Sequence, residues 1–347
     1  MRFYTGQHEH YCGVDLHART IYVCILNRKG ETVLHRNMPS NPDRFLDAIL
    51  PFSDDLVVGA ECMFTWYWLA DLCQEAEIPF VLGHALYMKA VHGGKAKNDR
   101  IDSAKIAALL KGGTFPMAYV YPREWRSTRD LLRRRLHFVR KRGELVAHIQ
   151  NTYHQYNLKA PSAKLRYRAN RSGAAEAFSD DSAQKNIAVD LAVADRLDRV
   201  IRDLEYFLTR RAKVHDPDTF HRLRSIPGVG KILAMTLLYE IHDIERFPRV
   251  QDFASYARLV KCAHESAGKR SGTGGAKIGN AHLRWAFGEA VVLMLRENDE
   301  IKKRRQRLER KHGKGKSLSI LAHRLGRAVY FMLKRKRVFQ MERFLAG

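Results

Sequence analysis

Tyr11-Cys12-Gly13-Val14-Asp15-Leu16 is followed, after His17-Ala18-Arg19-Thr20, by Ile21-Tyr22-Val23-Cys24-Ile25-Leu26-Asn27, and then by Thr32-Val33-Leu34-His35-Arg36. The three runs are rich in β-branched, aromatic and apolar residues, and Lys29-Gly30 supplies a turn between the second and third. Three consecutive antiparallel strands are expected. Downstream, Asn41-Pro42-Asp43 is a helix start with Phe45, Leu46, Ile49 and Leu50 on one face. Residues 56–60 form a short buried strand that ends at Glu61, and a helix follows over 66–76. Another short strand covers 79–82, and a Gly/Lys-rich loop over 92–97 leads into a helix over 99–111. The order is βββαβαβα.

A mixed sheet flanked by helices in that order is how a ribonuclease-H-like α/β domain reads in sequence. Within it, Asp15 interrupts an otherwise apolar strand, and a carboxylate buried there is costly unless a cation neutralises it. Glu61 ends a second core strand, so both acids can converge from neighbouring strands. Asp99 and Asp102, three apart at a helix start, project from one face. Four such carboxylates suit two Mg²⁺ or Mn²⁺ ions, hard cations that favour phosphodiester chemistry. Taken singly, each acid has an ordinary reading too: Asn98 or Asp99 can cap the helix, and Asp102 sits at the favourable end of its dipole.

The chain has 347 residues and a formal charge of +24, which points to a polyanionic partner. The charge is unevenly placed. Residues 1–115 hold 12 Lys+Arg against 13 Asp+Glu, whereas residues 116–347 hold 49 against 24. A near-neutral part that concentrates carboxylates is thus joined to a basic part suited to tracking a nucleic-acid backbone. The longest apolar stretches, 64–72 and 232–239, are shorter than the roughly 20 residues of a membrane span, and the first ten residues have no secretory pattern. A cytoplasmic, nucleoid-associated protein is expected. Cys12, Cys24, Cys62, Cys73 and Cys262 are scattered without CxxC spacing, which argues against a disulfide framework or a zinc site.

Residues 126–213 contain few Gly or Pro and read as long helices, interrupted over 160–186 by a polar loop or partly disordered insert. Arg133, Arg134, Arg135, Arg140, Lys141 and Arg142 bracket Leu136, Phe138 and Val139 in the first helix. The second helix, 187–213, carries apolar residues near helical spacing and serves either a helical hairpin or an intermolecular coiled coil. Beyond it, Ser225-Ile226-Pro227-Gly228-Val229-Gly230-Lys231 joins two helices. That turn is either a helix-hairpin-helix, in which Gly228, Gly230 and Lys231 hold a DNA phosphate, or a tight connector. Lys269, Arg270 and Arg284 are further candidates to neutralise a phosphate, or simply a basic helix face, and Asn280 is a further candidate to bind nucleic acid.

The chain resembles, over nearly its whole length, the DEDD transposases of the insertion-sequence-110 family. The resemblance rests on Gly13-Val14-Asp15, Gly59-Ala60-Glu61, Asn98-Asp99-Arg100-Ile101-Asp102, Ile226-Pro227-Gly228-Val229-Gly230, and Ser266 through Gly279-Asn280-Ala281-His282-Leu283-Arg284. It implies a RuvC-like domain over 1–122 with Asp15, Glu61, Asp99 and Asp102 as catalytic metal ligands. It further implies a basic helical or coiled-coil region over 123–215 and a mainly α-helical transposase domain over 216–347.

Ser266 matches the family's catalytic serine, fourteen residues before Asn280, although Ser266-Ala267-Gly268 departs from the usual Ser-Gly-Gly and Ser271 is a nearby rival. A serine hydroxyl is a poor nucleophile until a base or metal activates it. The resemblance implies site-specific strand exchange through a covalent phosphoserine, a structured noncoding guide RNA beside donor and target DNA, and a homo-oligomer, dimer or tetramer. Two other functions remain compatible with the residues. One is a junction-resolving nuclease that uses the acids alone, and the other is a noncatalytic nucleic-acid-binding scaffold.

Overall fold

The computed structural model describes residues 2–91, 98–266, 269–274 and 278–346, and they fall into two compact units, Met1–Arg123 and Glu124–Gly347. The first unit runs β1 (Phe3–Tyr4), β2 (His10–Leu16), β3 (Thr20–Asn27), β4 (Thr32–Pro39), α1 (Pro42–Ile49), β5 (Leu56–Glu61), α2 (Trp66–Glu75), β6 (Phe80–Gly83), α3 (Ala85–Val91), α4 (Asp99–Lys111) and β7 (Phe115–Pro116). Strands β2 to β6 form one sheet in the order β4-β3-β2-β5-β6. Only β3 runs against its neighbours, because β5 is parallel to β2 and β6 to β5. The expected elements are all present. Helix α3 and the β1–β7 pair are additions, each too short to show a period in the sequence.

Side-chain alternation divides the sheet's two faces. Cys12, Val14 and Leu16 of β2 pack with Val58 and Ala60 of β5 against α1 and α2, a cluster that includes Phe45, Ile49 and Leu69. Tyr11 and Val57 point the other way, onto Ile106, Leu109 and Leu110 of α4. Each of these buried aliphatic side chains contributes about 1.5–3 kcal/mol. Strand β2 is therefore covered on both faces, as its nearly unbroken apolar run requires. Cys12, Cys24 and Cys73 are buried and free, and Cys62 is exposed.

The second unit opens with two long helices, α5 (Arg123–Gln155) and α6 (Asp181–His215). Ion pairs join Arg135 to Glu205 and Arg142 to Asp198, and His148 Nδ1 meets Asp190 Oδ2 at 2.6 Å, so one helix ascends as the other descends. Of the two uses open to the second helix, the structure shows an antiparallel hairpin within the chain. Ile187, Ala194, Ile201 and Leu208, seven residues apart, form its buried stripe. The polar stretch between the helices is irregular, as expected, but it is packed. Leu165, Ala174 and Phe178 close a small core with Ile149, Tyr153 and Ile187. Arg171, nearly buried, pairs with Asp195 and Asp198. Helix α6 begins six residues before the expected start because the Asp180 side chain caps it, accepting from Ala183 N at 2.8 Å.

The rest is α7 (Pro217–Arg224), α8 (Lys231–Ile241), α9 (Val250–Tyr256), the antiparallel pair β8 (Cys262–Ser266) and β9 (Lys269–Gly274), α10 (Ala281–Glu297), α11 (Asp299–His312), α12 (Lys314–Lys334) and α13 (Met341–Ala346). Helix α8 is the centre of this core, with every residue from Leu233 to Ile241 buried. Phe220, Phe253, Phe287, Leu325 and Val329 pack in the same cluster.

Candidate functional site

Gly13 of β2 lies beside Gly59 of β5 in the sheet register. A methyl group on Gly13 would collide with the backbone of α4 at Ser103 O and Ala107 N, and one on Gly59 would collide with Leu110. The paired glycines thus form a notch into which α4 settles. Two residues further along the same face of each strand are Asp15 and Glu61. Helix α4 brings its own acids to that end. Its N-cap, Asn98, accepts from Ile101 N at 2.8 Å, and its buried stripe of Ser103, Ile106, Ala107 and Leu110 seats it on the sheet with Asp99 and Asp102 in its first turn.

Asp15, His17 and Asp99 offer ligand atoms that all lie within 4.8 Å of one another. His17 Nε2 stands 3.3 Å from Asp15 Oδ2 and 3.3 Å from Asp99 Oδ1. Burial raises the Asp15 carboxyl above its ordinary value, His17 opposes that shift, and the charges of Asp99 and Asp102 add to it. Asp102 is thus electrostatically part of the cluster although its carboxylate is 3.5 Å from Lys105 Nζ and outside the ligand-distance set. Glu61 also lies outside that set, half-buried at the end of the adjoining strand. His17 has no role in the acid reading of the sequence. The available signal was its place two residues after Asp15.

In the second unit, the β8–β9 pair is pinned at its base. Asn280 N donates to Tyr256 O at 2.6 Å, and Arg258 Nε donates to Gly279 O at 2.9 Å. Ser266 ends β8 opposite Lys269 in the backbone register. The side chains of Ser266, Ser271 and Arg270 lie outside the described residues, and Lys269 is exposed. Asn280 is nearly buried. Its Oδ1 caps α10 by accepting from His282 N and Leu283 N, and its Nδ2 donates to Glu240 Oε2 at 2.8 Å and Tyr256 Oη at 3.3 Å.

Glu240, 1% exposed, also receives Arg133 through hydrogen bonds of 2.7 and 2.9 Å, and Arg129, whose Nε donates at 3.1 Å and whose Nη2 stands 2.9 Å from Oε2. Burial alone would raise its carboxyl; the Arg133 hydrogen bond, the charges of Arg129 and Arg133 and the Asn280 amide outweigh that and lower it to about 2. This hub was missed in the sequence, where Glu240 is one polar residue at the end of an apolar helix.

The remaining basic candidates separate by face. Arg133, Arg135 and Arg142 are engaged by Glu240, Glu205 and Asp198. Lys141 pairs with Glu144 at 2.7 Å on the surface. Arg134, which lies over the Phe138 ring, and Arg140 are exposed, as are Gly230, Lys231 and Arg284. Gly228 has φ +78° and abuts the backbone of α10 at Leu293 and Met294, so its need for glycine is structural.

The unit with paired acids on a mixed sheet, the helical basic unit and the comparisons below define a DNA transposase, an enzyme of DNA recombination. Residues 12–158 match a DEDD transposase family model of the IS110 type, and residues 220–306 match the family described as transposase IS116/IS110/IS902. The chain is 23% identical, over 94% of its own length and 90% of the relative's, to the transposase for insertion sequence element IS1111A of Coxiella burnetii (strain RSA 493 / Nine Mile phase I). The two family matches and this relative together support an IS110-family transposase. The match to the DEDD model implies dependence on a divalent metal, and the cluster around Asp15 offers a site for it. Among the described residues no helix is long and apolar enough to cross a membrane.

Proposed function

We propose that this transposase is a metal-dependent, RNA-guided, site-specific recombinase that moves its own insertion element through a covalent phosphoserine. The observation that carries the proposal is the convergence of Asp15, Asp99 and His17 at the carboxyl end of β2, with Asp102 coupled to them and Glu61 on the neighbouring strand end. Like charges drawn together on a half-buried strand end fit a divalent cation. Asp15 and Asp99, with Glu61 and Asp102 completing the set, would hold Mg²⁺ or Mn²⁺ through oxygen, and His17 adds a nitrogen donor that Mn²⁺ accepts more readily. When bound, such a cation offsets negative charge on the phosphate under attack. The sheet order, with β3 alone reversed, supports a ribonuclease-H-like, RuvC-like assignment for residues 1–122.

The rest of the chemistry belongs to residues 123–215 and 216–347. Ser266 Oγ attacks phosphorus and loses its proton; the Oγ–P bond forms, the P–O bond to the departing strand breaks, and that oxygen takes up a proton. Attack by a hydroxyl of the exchanging strand reverses these changes and frees the serine. Lys269 and Arg284, both exposed, and Arg270 neutralise the phosphate. The α7–α8 turn acts as a helix-hairpin-helix, holding a DNA phosphate at the exposed Gly230 and Lys231. Arg134, Arg140 and Lys141 grip the backbones of DNA and of a structured noncoding guide RNA. The working form is a homo-oligomer, dimer or tetramer.

The test uses the element's DNA ends, its target and its noncoding RNA, with protein–DNA adducts trapped on denaturing gels. Asp15→Asn abolishes cleavage, and Ser266→Ala abolishes the adduct and strand exchange. Cleavage that persists without any adduct identifies a junction-resolving nuclease instead. Unchanged transposition in cells carrying Asp15→Asn or Glu61→Gln identifies a noncatalytic scaffold with structural acids.

A further inference from the structure

The last two helices border an open cavity of about 400 Å³ that lies outside both stretches matched by the family models. At the end of α12 the chain reverses through Lys336, whose φ is +50°, and Arg337 N donates to Met332 O. The segment that follows leads into α13, which folds back on α12. Arg324, Arg327, Arg335, Arg337 and Arg343 line the space, and no Asp or Glu does among the described residues. Phe331, Phe339 and Phe344 supply its apolar surface.

This charge distribution differs from that around the two long helices. There the partly buried arginines are held by carboxylates: Arg129 and Arg133 by Glu240, Arg135 by Glu205, and Arg142 by Asp198, with Arg171 of the connecting stretch held by Asp195 and Asp198. Around the cavity the guanidinium groups meet rings and carbonyls. Arg324 lies over the Phe344 ring and donates Nε to Phe344 O at 2.6 Å, while its Nη2 is buried with no hydrogen-bond partner among the described residues. Arg335 lies over Phe331, whose ring remains 38% exposed. Burial and the nearby charge of Arg304 both lower the affinity of Arg324 for its proton. A cluster of cations without an internal counter-charge is set up for an anion.

We propose that this cavity binds one unpaired nucleotide of a single-stranded nucleic acid, with the base against Phe331 and the phosphate among the arginines. Planar guanidinium forks match phosphate oxygens, and an exposed phenyl ring matches the π-face of any base. The volume falls in the range of small-ligand pockets. A duplex hides base faces in its stack, so only an unstacked nucleotide presents a face and a phosphate together. Gln340 at the rim can both donate to and accept from a base edge. This site is independent of the acid cluster and of the serine.

The test is binding in EDTA, which separates it from cleavage, measured by fluorescence anisotropy of labelled oligo(dT), oligo(U) and a duplex. Phe331→Ala weakens single-strand binding about ten-fold and leaves duplex binding within about two-fold. Arg327→Gln, at an exposed position, gives the same single-strand selectivity and guards against loss through misfolding. A larger loss on oligo(dT) assigns the nucleotide to DNA, a larger loss on oligo(U) assigns it to RNA, and equal losses mark a pocket indifferent to the sugar. Single-strand affinity unchanged in both variants, or losses shared equally by the duplex, overturns the proposal.

Discussion

Replacing Gly13 by Ala tests whether the glycine notch sets the acid geometry. The added methyl would lie well under 3.0 Å from Ser103 O and Ala107 N, two backbone atoms of α4. Neither atom can rotate away, so helix and strand must separate by about 1 Å to restore van der Waals contact. Overpacking of this kind costs about 1–3 kcal/mol. The functional effect is larger than the stability effect because Asp99 and Asp102 ride on the displaced helix while Asp15 stays on the sheet, and a displacement of about 1 Å in a reacting constellation can cost about 100-fold in rate. Thermal unfolding in EDTA, Mn²⁺ titration and single-turnover cleavage read these effects separately. The control is Gly143→Ala on exposed α5, where an added methyl meets nothing within 4 Å and stability should rise slightly. A Gly13→Ala protein with wild-type metal affinity and cleavage rate would refute the argument that α4 and β2 are held in register by that notch.

Glu240→Gln leaves Arg129 and Arg133 without their buried counter-charge, and the expected cost is about 3–5 kcal/mol by urea unfolding. The folded carboxyl is depressed to about 2 from an ordinary 4.5, so its stabilisation is complete above about pH 4.5 and is lost as pH falls toward 2. That shift corresponds to roughly 3 kcal/mol, and the Gln variant should show a flatter acid limb in a pH series of melting temperatures. The arginines of α5 should divide by face. Arg134→Gln and Arg140→Gln each reduce the salt-dependence slope of nucleic-acid binding by about 1 with little effect on folding. Arg135→Gln and Arg142→Gln break contacts with Glu205 and Asp198, so melting temperature falls while the slope is retained. Calorimetry and binding isotherms at several salt concentrations distinguish the two pairs.

The run of arginines over 133–142 shows why charge in a sequence is only a partial guide. The six basic residues are equivalent when read as a cluster, but a helix turns successive residues by about 100°. Arg133 therefore meets Glu240, Arg135 and Arg142 meet α6, and Arg134 and Arg140 meet solvent. Asn280 shows the same effect from the other side. Its place before a helix announces a cap, which it is, but nothing local announces that its amide also reaches a carboxylate forty residues back in the chain.

By itself the sequence determined the main strands and helices of the first unit, though not α3 or the β1–β7 pair, because period-two and helical apolar patterns and the Asn98 cap are local properties of the chain. It also determined that Asp15, Glu61, Asp99 and Asp102 would share one end of that unit, since two end core strands and two begin a helix. Only the tertiary structure decided how closely they meet. His17 joins Asp15 and Asp99 because a tight turn returns the chain beside α4, and α4 can come so near only because Gly13 and Gly59 face it in register. The hub at Glu240 and the arginine-lined cavity near the end of the chain are likewise long-range results. Each assembles residues from separate segments, and the energy of a buried charge depends on what surrounds it in space, which no local pattern encodes.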